Sequence, residues 1–472
     1  MPLRLHNTWT RQVAPFTSRT PGHVGFYSCG PTVYNYAHIG NLRTYIFADL
    51  MRRVLEAEGF DVRHVMNITD VGHLTSDADT GEDKMEKGAR QHGRTAWEIA
   101  EFYTAAFKQD LQRLEVLEPT IWCRATDHIP QMIETVRQIE ARGFTYQTSD
   151  GIYFDTSKMP EYGQLARLDL AGQQSGARVA VNDEKRNAQD FALWKFSDPA
   201  EQRQMEWESP WGKGFPGWHI ECSAMAAEYL GVPFDLHSGG VDHIPVHHTN
   251  EIAQTLAATG HLLAEWWVHG EFLVLKDRRM GKSEGNFLTL QSLIDAGYSP
   301  MAYRYLTYSA HYRSHLTFTE EGMDGASSAM RNLHGQFAAL PIDAGAIADD
   351  GALARFGDAL RDDLNAPKAL AVVWETIRDA SLSPEIRRAT VLRMDAVLPM
   401  GLAHVVPEEA PAGPPRIPVI ALRFGARSTR AARDFPVSFG EPRIARVHAH
   451  SERIEQRTVV QGARAFPGST LV

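Results

Sequence analysis

The sequence is poor in cysteine: its 472 residues include only Cys29, Cys123 and Cys222. An odd and sparse set of thiols argues against a disulfide framework and indicates a reducing compartment, the cytoplasm, where thiols stay free or bind metal. No segment approaches the roughly 18 consecutive apolar residues of a membrane span, and the first residues lack the apolar core of a secretory signal. With 43% apolar and 22% charged residues, the chain is predicted to be globular.

Positive charge is also in deficit, because 48 basic residues stand against 58 acidic ones, a net charge of −10. This balance does not favour nucleic-acid binding, but it does not exclude it, since a local basic patch is sufficient. The C-terminal segment from Gly401 to Val472 differs. It has ten Arg, no Lys and six acidic residues, hence +4, and eight of the 25 prolines.

Hydrophobic spacing predicts an α/β fold. An apolar run at 24–28 ends at Gly30 and Pro31, residues at helical spacing follow from Ile39 to Leu55, and a second apolar run covers 62–68. Strand, helix and strand within about 45 residues form a βαβ unit and predict a doubly wound parallel sheet. Further predicted elements are helices at 96–114, 129–142, 219–230 and 247–259, strands at 145–147, 151–154 and 234–237, an irregular insertion over 156–215, and about four helices over 317–402 with a loop at 343–350.

One glycine motif matches a nucleotide fingerprint by letter only. Gly212, Gly214 and Gly217 have the Gly-x-Gly-x-x-Gly spacing of dinucleotide-binding loops. No apolar strand precedes them, Pro216 interrupts the motif, and no acidic residue follows at the required offset. A loop before a helix is therefore favoured over a nicotinamide site.

Two segments could bind phosphate. His38-Ile-Gly40-Asn41 lies where the first strand passes into the first helix, and free N–H groups at a helix start favour anions. Because Gly40 has no side chain, it would leave space for a nucleotide base to pack against the backbone. The loop 276–286 contains Lys282 between two glycines, and a leaving pyrophosphate needs such a charge. A helix-capping histidine and a solvated turn are the simpler alternatives.

Four residues from three segments could bind a metal. His247 and Glu251 are four apart, on one face of a helix. Cys29 follows the first strand, at the edge where α/β proteins bind ligands, and Cys222 supplies a second thiol. The set suits tetrahedral zinc. No Cys-x-x-Cys spacing supports it, so buried free cysteines remain the alternative.

Seven ordered segments resemble class I cysteinyl-tRNA synthetases, over about residues 3–400. They are Cys29-Gly-Pro-Thr-Val-Tyr34 with His38-Ile-Gly-Asn41, Asn67-Ile-Thr-Asp70, Asp190-Phe-Ala-Leu-Trp-Lys195, Ser209-Pro-Trp-Gly212, Gly217-Trp-His-Ile-Glu-Cys-Ser-Ala-Met225, His247-His-Thr-Asn-Glu251 and Met280-Gly-Lys-Ser283.

The resemblance implies a Rossmann-type catalytic domain with an insertion, a stem-contact fold and a C-terminal helical bundle. The predicted segments are catalytic halves at 1–125 and 206–270, an insertion at 126–205, a stem-contact fold at 271–316, a bundle at 317–402 and a divergent basic tail at 403–472.

The resemblance also implies residue roles. His38 to Asn41 correspond to the HIGH motif and Arg279 to Ser283 to the KMSKS motif, with Asn41, Arg279 and Gly281 as departures from the family pattern. The implied catalytic residues are His38, Asn41 and Lys282. The implied ATP-binding residues are His38, Gly40, Asn41, Gly239, Gly240, Asp242, Met280, Lys282 and Ser283. Thr69 and Trp218 are implied for the amino-acid pocket, and Cys29, Cys222, His247 and Glu251 for one zinc per chain.

Zinc in this family has the task of selecting cysteine. Apolar contacts separate amino acids of similar size by only about 1–3 kcal/mol, whereas zinc binds a thiolate and a serine hydroxyl substitutes poorly. Two thiolates and a carboxylate outweigh the ion's charge by one unit, so neighbouring donors are expected, with His219 and His248 as candidates.

The implied function is a monomeric cytoplasmic enzyme that activates L-cysteine with ATP and Mg²⁺ and transfers it to tRNA(Cys), without a membrane partner. Alternatives are a ligase of cysteine to a small amine, similar to mycothiol ligase, and a non-catalytic paralogue. After Phe435 the resemblance ends. Residues 436–472 are either a divergent RNA-binding tail or the product of a changed reading frame.

Overall fold

The computed structural model describes most of the chain before residue 407. The described ranges are 1–72, 85–86, 93–167, 184–198, 203–275, 278–279 and 287–406.

A five-stranded parallel sheet forms the centre of the region predicted to be catalytic. Its strands are β3 (His23–Ser28), β4 (Asp61–Ile68), β5 (Ile121–Arg124), β10 (Phe234–Gly240) and β11 (Ala264–Gly270), numbered with the strands below in chain order. The order across the sheet is β11-β10-β3-β4-β5 with every pair parallel, which confirms the predicted doubly wound sheet. Strand β10 runs on to Gly240, past the predicted end at His237.

The helices next to this sheet follow the hydrophobic spacing of the sequence. They are α1 (Ile39–Ala57), α2 (Ala96–Arg113), α3 (Ile129–Ala141), α4 (Trp218–Leu230) and α5 (His247–Thr259). In α1 the residues Ile39, Leu42, Ile46 and Leu50 recur every three or four positions, and all four are buried. Gly59, two residues after α1, has φ +88°, a conformation that glycine adopts without strain.

The insertion contains more regular structure than the sequence predicts. Strands β6 (Thr145–Thr148), β7 (Gly151–Phe154), β8 (Phe191–Phe196) and β9 (Gly214–Pro216) form an antiparallel sheet in that order. The prediction of an irregular segment over 156–215 is therefore wrong for β8 and for the start of β9. Pairing between residues about 40 positions apart, such as Ile152 with Trp194, leaves no local periodic signal.

Two smaller units flank the catalytic sheet. A hairpin of β1 (Arg4–Asn7) and β2 (Gln12–Pro15) begins the chain. After the catalytic sheet, β12 (Leu273–Leu275) pairs with β13 (Arg278–Arg279) and β14 (Leu316–Phe318), with α6 (Leu290–Asp295) and α7 (Pro300–Tyr308) between them. The buried Arg43 of α1 donates to carbonyl oxygens at both ends of this unit, of Phe272 at 2.6 Å and Ser314 at 2.7 Å.

The last described region is the predicted bundle. Its helices are α8 (Glu320–Ala338), α9 (Asp350–Arg361), α10 (Ala366–Arg378) and α11 (Pro384–Asp395). Each begins at a Thr, Asp, Asn or Ser whose side chain accepts a backbone N–H of the first turn. None of the helices in the described ranges is long and apolar enough to cross a membrane. The domain boundaries remain a prediction, and the tail after residue 406 lies outside the described residues.

Candidate active site

Three loops meet where the central strands end. Cys29 follows β3, Thr69 follows β4, and Gly239 and Gly240 end β10. Because these strands are neighbours and parallel, their carboxyl ends lie at the same edge of the sheet, the usual ligand-binding edge of such folds.

The start of α1 is organised by two of the predicted catalytic residues. The His38 Nδ1 atom accepts the backbone N–H of Asn41 at 3.0 Å, and the Asn41 Oδ1 atom accepts the backbone N–H of His38 at 3.2 Å. This reciprocal pair is a capping box. Since His38 Nδ1 accepts, the ring proton of neutral His38 lies on Nε2, and since Asn41 Oδ1 accepts, its amide NH₂ is the remaining donor. Both side chains thus carry donors at a helix N-terminus.

Gly40 lies against the ring of His38, and its predicted role beside a nucleotide base stays a prediction. A Cβ at this position would lie 3.0 Å from both Cε1 and Nδ1 of His38, so the missing side chain accommodates the His38 ring itself. The same turn contacts the segment before α6. The Ile39 N–H donates to the Leu288 carbonyl at 2.9 Å, and His38 forms an isolated β-bridge with Thr289. The residues just after loop 276–286 therefore contact the HIGH segment.

The end of β10 packs closely against its own loop. A Cβ on Gly239 would lie 2.5 Å from Nδ1 of His243, and one on Gly240 would lie 2.3 Å from the Asp242 carboxylate. Thr44 of α1 is 3.9 Å from that second position. The predicted adenosine segment therefore lies beside the HIGH helix.

The four predicted zinc ligands come together. The ligand atoms of Cys29, Cys222, His247 and Glu251 all lie within 4.8 Å of one another, and all four residues are buried. His247 Nε2 is 2.7 Å from Glu251 Oε1, as expected for positions four apart on α5. Two thiols, an imidazole and a carboxylate at this spacing form a donor set that fits zinc.

An overlapping set shares two of these residues. Cys29 and Glu251 also lie within 4.8 Å of His237 and His248. His237 Nε2 is 2.6 Å from Glu251 Oε2, so His237 and His247 contact opposite oxygens of one carboxylate. The set with Cys222 offers two thiols and the set with His237 only one, which makes the two sets distinguishable by experiment.

The predicted ligands shift one another's pKa values. A hydrogen bond from Cys29, together with His247, lowers the pKa of Cys222 to about 6, so this thiol ionises readily. Burial, together with Cys222, keeps the pKa of Cys29 well above its ordinary value. Burial alone would lower the pKa of His247, but Glu251 and Cys222 raise it to about 10. Zinc would displace such protons when it binds.

The predicted neighbouring donors both contact ligands. His219 Nδ1 is 2.9 Å from Nδ1 of His247, and His248 Nε2 is 3.4 Å from Sγ of Cys29. Two further buried histidines, His237 and His269, and the half-buried His243 lie around them and had no predicted role. The available signal was the density of histidine between residues 237 and 269.

The predicted amino-acid pocket residues lie beside the cluster. The Trp218 ring, in the first turn of α4, is 4.6 Å from the ring of His247. The Thr69 hydroxyl donates to Glu221 Oε2 at 2.9 Å and accepts from Asn67 Nδ2 at 3.0 Å. Glu221 is fully buried and directly precedes Cys222. Sequence reasoning assigned no role to Glu221.

The second segment predicted to bind phosphate lies mostly outside the structure's described part. Met280, Lys282 and Ser283 all belong to it, and Arg279 is placed only as backbone of β13. Their predicted roles remain predictions.

The glycine motif at 212–217 is structural. Carbonyl oxygens of β8 would lie 1.9 Å from a Cβ on Gly214 and 2.1 Å from one on Gly217, so β9 and the residue after it run too close to β8 for side chains at these two positions. The sequence predicts a loop before a helix here and not a nicotinamide site. The structure agrees, because Gly217 is the N-cap residue of α4.

Comparison with known proteins identifies the family. Residues 15–328 match the tRNA synthetases class I (C) catalytic domain, and residues 355–396 match the DALR domain. The chain is 58% identical to cysteine–tRNA ligase 1 of Burkholderia lata over 403 residues, 85% of this chain and 85% of that protein. The chain belongs to the cysteine–tRNA ligase family. It is accordingly an aminoacyl-tRNA ligase of class I, as the sequence predicted.

Other members of the cysteine–tRNA ligase family show similar agreement. The enzyme of Treponema denticola is 44% identical over 84% of this chain and 86% of its own length. That of Novosphingobium aromaticivorans is 42% identical over all of this chain and 96% of its own length. The alignment with the Novosphingobium aromaticivorans protein includes the C-terminal tail of this chain, whereas the alignment with the Burkholderia lata protein covers 85% of the chain.

Solved structures agree on the fold. Mycobacterium tuberculosis methionyl-tRNA synthetase in complex with methionyl-adenylate matches with a TM-score of 0.56 at 16% identity, over 81% of this chain and 93% of that one. A leucyl-tRNA synthetase from Agrobacterium radiobacter matches with a TM-score of 0.56 at 11% identity, over 83% of this chain and 85% of that one. These likenesses confirm the class I synthetase fold of this cysteine–tRNA ligase family member.

Proposed function

We propose that this chain activates L-cysteine with ATP and transfers it to tRNA(Cys) at the carboxyl edge of the parallel sheet. The observation that carries the proposal is the buried cluster of Cys29, Cys222, His247 and Glu251 beside Trp218, in a chain of the cysteine–tRNA ligase family. Zinc held by these four residues supplies a coordination position that accepts a thiolate and discriminates against a hydroxyl.

The first step joins the cysteine carboxylate to the α-phosphate of ATP and releases pyrophosphate. Negative charge accumulates on the phosphate oxygens in the transition state, and donors already in place stabilise it without reorganisation. The Nε2–H of His38, the amide NH₂ of Asn41 and the N-terminus of α1 are proposed to perform this task, and the capping contacts at the helix start support the proposal. Gly239, Gly240 and Asp242 are proposed to contact the adenosine beside α1.

The second step moves the cysteinyl group to the terminal ribose of tRNA(Cys). The ribose hydroxyl attacks the carbonyl carbon and AMP leaves. In the first step, Met280, Lys282 and Ser283 are proposed to act on the phosphates, chiefly while pyrophosphate leaves, because a loop cation is most effective where new charge develops. ATP with Mg²⁺ is a substrate.

Cytoplasmic location and a monomeric state are part of the proposal. The cytoplasm is supported by the cysteines, since all three thiols are buried and unpaired by disulfides. Sedimentation at micromolar concentration tests the monomer, which a dimer mass would contradict.

Pyrophosphate exchange and aminoacylation test the proposed function. The purified chain is expected to exchange pyrophosphate with cysteine and not with serine, and to acylate tRNA in preference to an amino sugar. Lys282→Ala is expected to slow exchange by a large factor with unchanged zinc content. Acylation of the amino sugar alone would identify a ligase of small amines, and an absence of exchange would identify a non-catalytic paralogue.

A further inference from the structure

Exposed aromatic side chains gather at one end of helix α2. In the described ranges, the large apolar residues that are strongly exposed include three aromatic ones: Tyr36, Trp97 and Phe102, with 41%, 46% and 41% of their surface accessible. Two of them belong to the first two turns of α2, and Tyr36 packs against that helix. Scattered exposed apolar residues are ordinary, but a group of aromatic ones indicates a binding surface.

Contacts with neighbouring side chains hold the rings of Tyr36 and Phe102 in fixed orientations. The Tyr36 ring meets the ring of Phe102 at 6.1 Å and that of the buried Tyr103 at 5.0 Å, both nearly perpendicular. The Arg94 guanidinium lies 5.1 Å from the centre of the Phe102 ring. We call Arg94, Tyr36, Trp97 and Phe102 the aromatic patch.

The position of the aromatic patch relates it to the active site. Helix α2 follows β4 and precedes the parallel strand β5, so its first turn lies at the carboxyl edge of the sheet. His38 begins α1 at the same edge, only two residues after Tyr36, which is a span of about 7 Å along the chain. The patch therefore adjoins the place where the nucleotide is proposed to react.

We propose that the aromatic patch binds the unpaired 3′-terminal nucleotides of the acceptor RNA. Bases without a pairing partner stack on aromatic rings, and a guanidinium beside the ring adds a cation for the backbone phosphate. A duplex offers its bases no such contact. The inference rests on the proposed function, since it concerns the path by which the terminal ribose reaches the active site.

Kinetics with an RNA substrate test the proposal. Phe102→Leu keeps apolar volume but removes the ring face, and it is expected to raise the KM for tRNA about tenfold, as stacking energies of 1–3 kcal/mol per base imply. Phe102→Trp is expected to restore the KM. Gln109→Ala, exposed further along α2, is the matched control and is expected to change nothing. Tyr36→Leu is the second variant if Phe102→Leu fails to fold.

A shortened RNA shows whether the 3′ end is what binds. As a competitor, tRNA without its unpaired 3′ nucleotides is expected to bind the wild-type protein about tenfold more weakly than intact tRNA. With Phe102→Leu the two RNAs are expected to bind about equally. An unchanged KM in both ring variants, or an equal loss for both RNAs, would overturn the proposal.

Pyrophosphate exchange separates this proposal from the proposed function, because exchange requires no tRNA. If the wild-type protein shows no cysteine-dependent exchange, the proposed function fails. If exchange is intact in every variant and the KM for tRNA does not move, only the RNA-binding proposal fails. Self-association that Phe102→Leu abolishes would identify a second copy of the chain as the occupant and would also overturn it.

Discussion

A single buried carboxylate, that of Glu221, connects Thr69, a predicted amino-acid pocket residue, to the helix that carries Cys222. It accepts the Thr69 hydroxyl, which in turn accepts the Asn67 amide, and Asn67 Oδ1 accepts the Gly30 N–H at 2.7 Å. With its proton directed to Glu221, the Thr69 oxygen keeps a lone pair for another donor, such as the ammonium group of cysteine. We therefore expect Glu221 to act as a positioning residue through Thr69.

Glu221→Gln tests this role. A neutral amide is a weaker acceptor than a carboxylate, so the Thr69 hydroxyl should be held less firmly. We expect the KM for cysteine to rise about fivefold, with an unchanged KM for ATP and unchanged zinc content. Thr69→Ser, which keeps the hydroxyl, is the conservative control. A variant that lost zinc, or bound ATP more weakly to the same extent, would show a general structural role instead.

Asp110 provides a test of pH dependence away from the metal. Burial raises the pKa of this carboxyl to about 6, although Arg113 at 3.7 Å opposes the shift. A raised acid pKa means that the folded state holds the proton more tightly. The protonated Asp110 carboxyl therefore contributes fully to the stability of the fold below pH 4, and this contribution is lost as the pH rises through 6.

The neutral variant Asp110→Asn should remove that loss. We expect the free energy of unfolding of the variant to exceed that of the wild type by about 2 kcal/mol at pH 7.5, and the two proteins to agree at pH 4 or slightly below. Urea unfolding at both values measures the difference. A gain of equal size at both pH values would show that ionisation of Asp110 is not the cause.

Among the secondary-structure elements, α1 and α7 are joined by a buried ion pair. Arg304 of α7 donates to Asp49 of α1 and to the Tyr308 hydroxyl, and Asp49 also accepts from Arg53 at 2.8 Å and from the Leu117 N–H at 2.8 Å. Both members of the pair are fully buried. The HIGH helix is thereby fixed to the unit that carries β12 and β14.

In Asp49→Asn the Arg304 charge stays buried, and a neutral amide replaces the carboxylate that balances this charge. Breaking such a pair costs about 3–5 kcal/mol, so we expect the free energy of unfolding to fall by about that amount. Asp61→Asn is the matched control: its carboxylate pairs with His23 at the surface, and the expected change is below about 1 kcal/mol. Equal effects in the two variants would contradict the importance given to burial.

How far the sequence predicts each element depends on whether its signal is local. Helix α1 follows from its own apolar spacing, and the metal set follows from the resemblance together with His247 and Glu251 four apart. Strands β8 and β9 were missed because their pairing partners lie far away in the chain. His269 contacts the cluster at His248, with 2.7 Å between His269 Nε2 and His248 Nδ1, a contact between separate elements that no local pattern reveals.

At the scale of the whole molecule, charge divides the chain into an acidic part and a basic tail. The sequence predicts that the tail is either divergent or out of frame, and it lies outside the described residues. Truncation after Phe435 is expected to leave thermal stability and pyrophosphate exchange unchanged. Any contribution of its arginines to tRNA binding should fall steeply with salt.

Aminoacylation by the truncated chain across a salt series measures that contribution. A defect that disappears at high salt agrees with non-specific attraction by the arginines. A tRNA-specific defect that persists at about 150 mM salt, where exposed charges are largely screened, would show that the tail is a recognition domain.

The central claim is that Cys29, Cys222, His247 and Glu251 hold one zinc ion that selects cysteine by its sulfur. X-ray absorption at the zinc edge, with and without L-cysteine, tests it most directly, because sulfur neighbours at about 2.3 Å can be counted. The account predicts two sulfur neighbours in the free protein and three with cysteine, but two with serine. A single sulfur neighbour in the free protein, as the set with His237 and His248 requires, or no change with cysteine would contradict it.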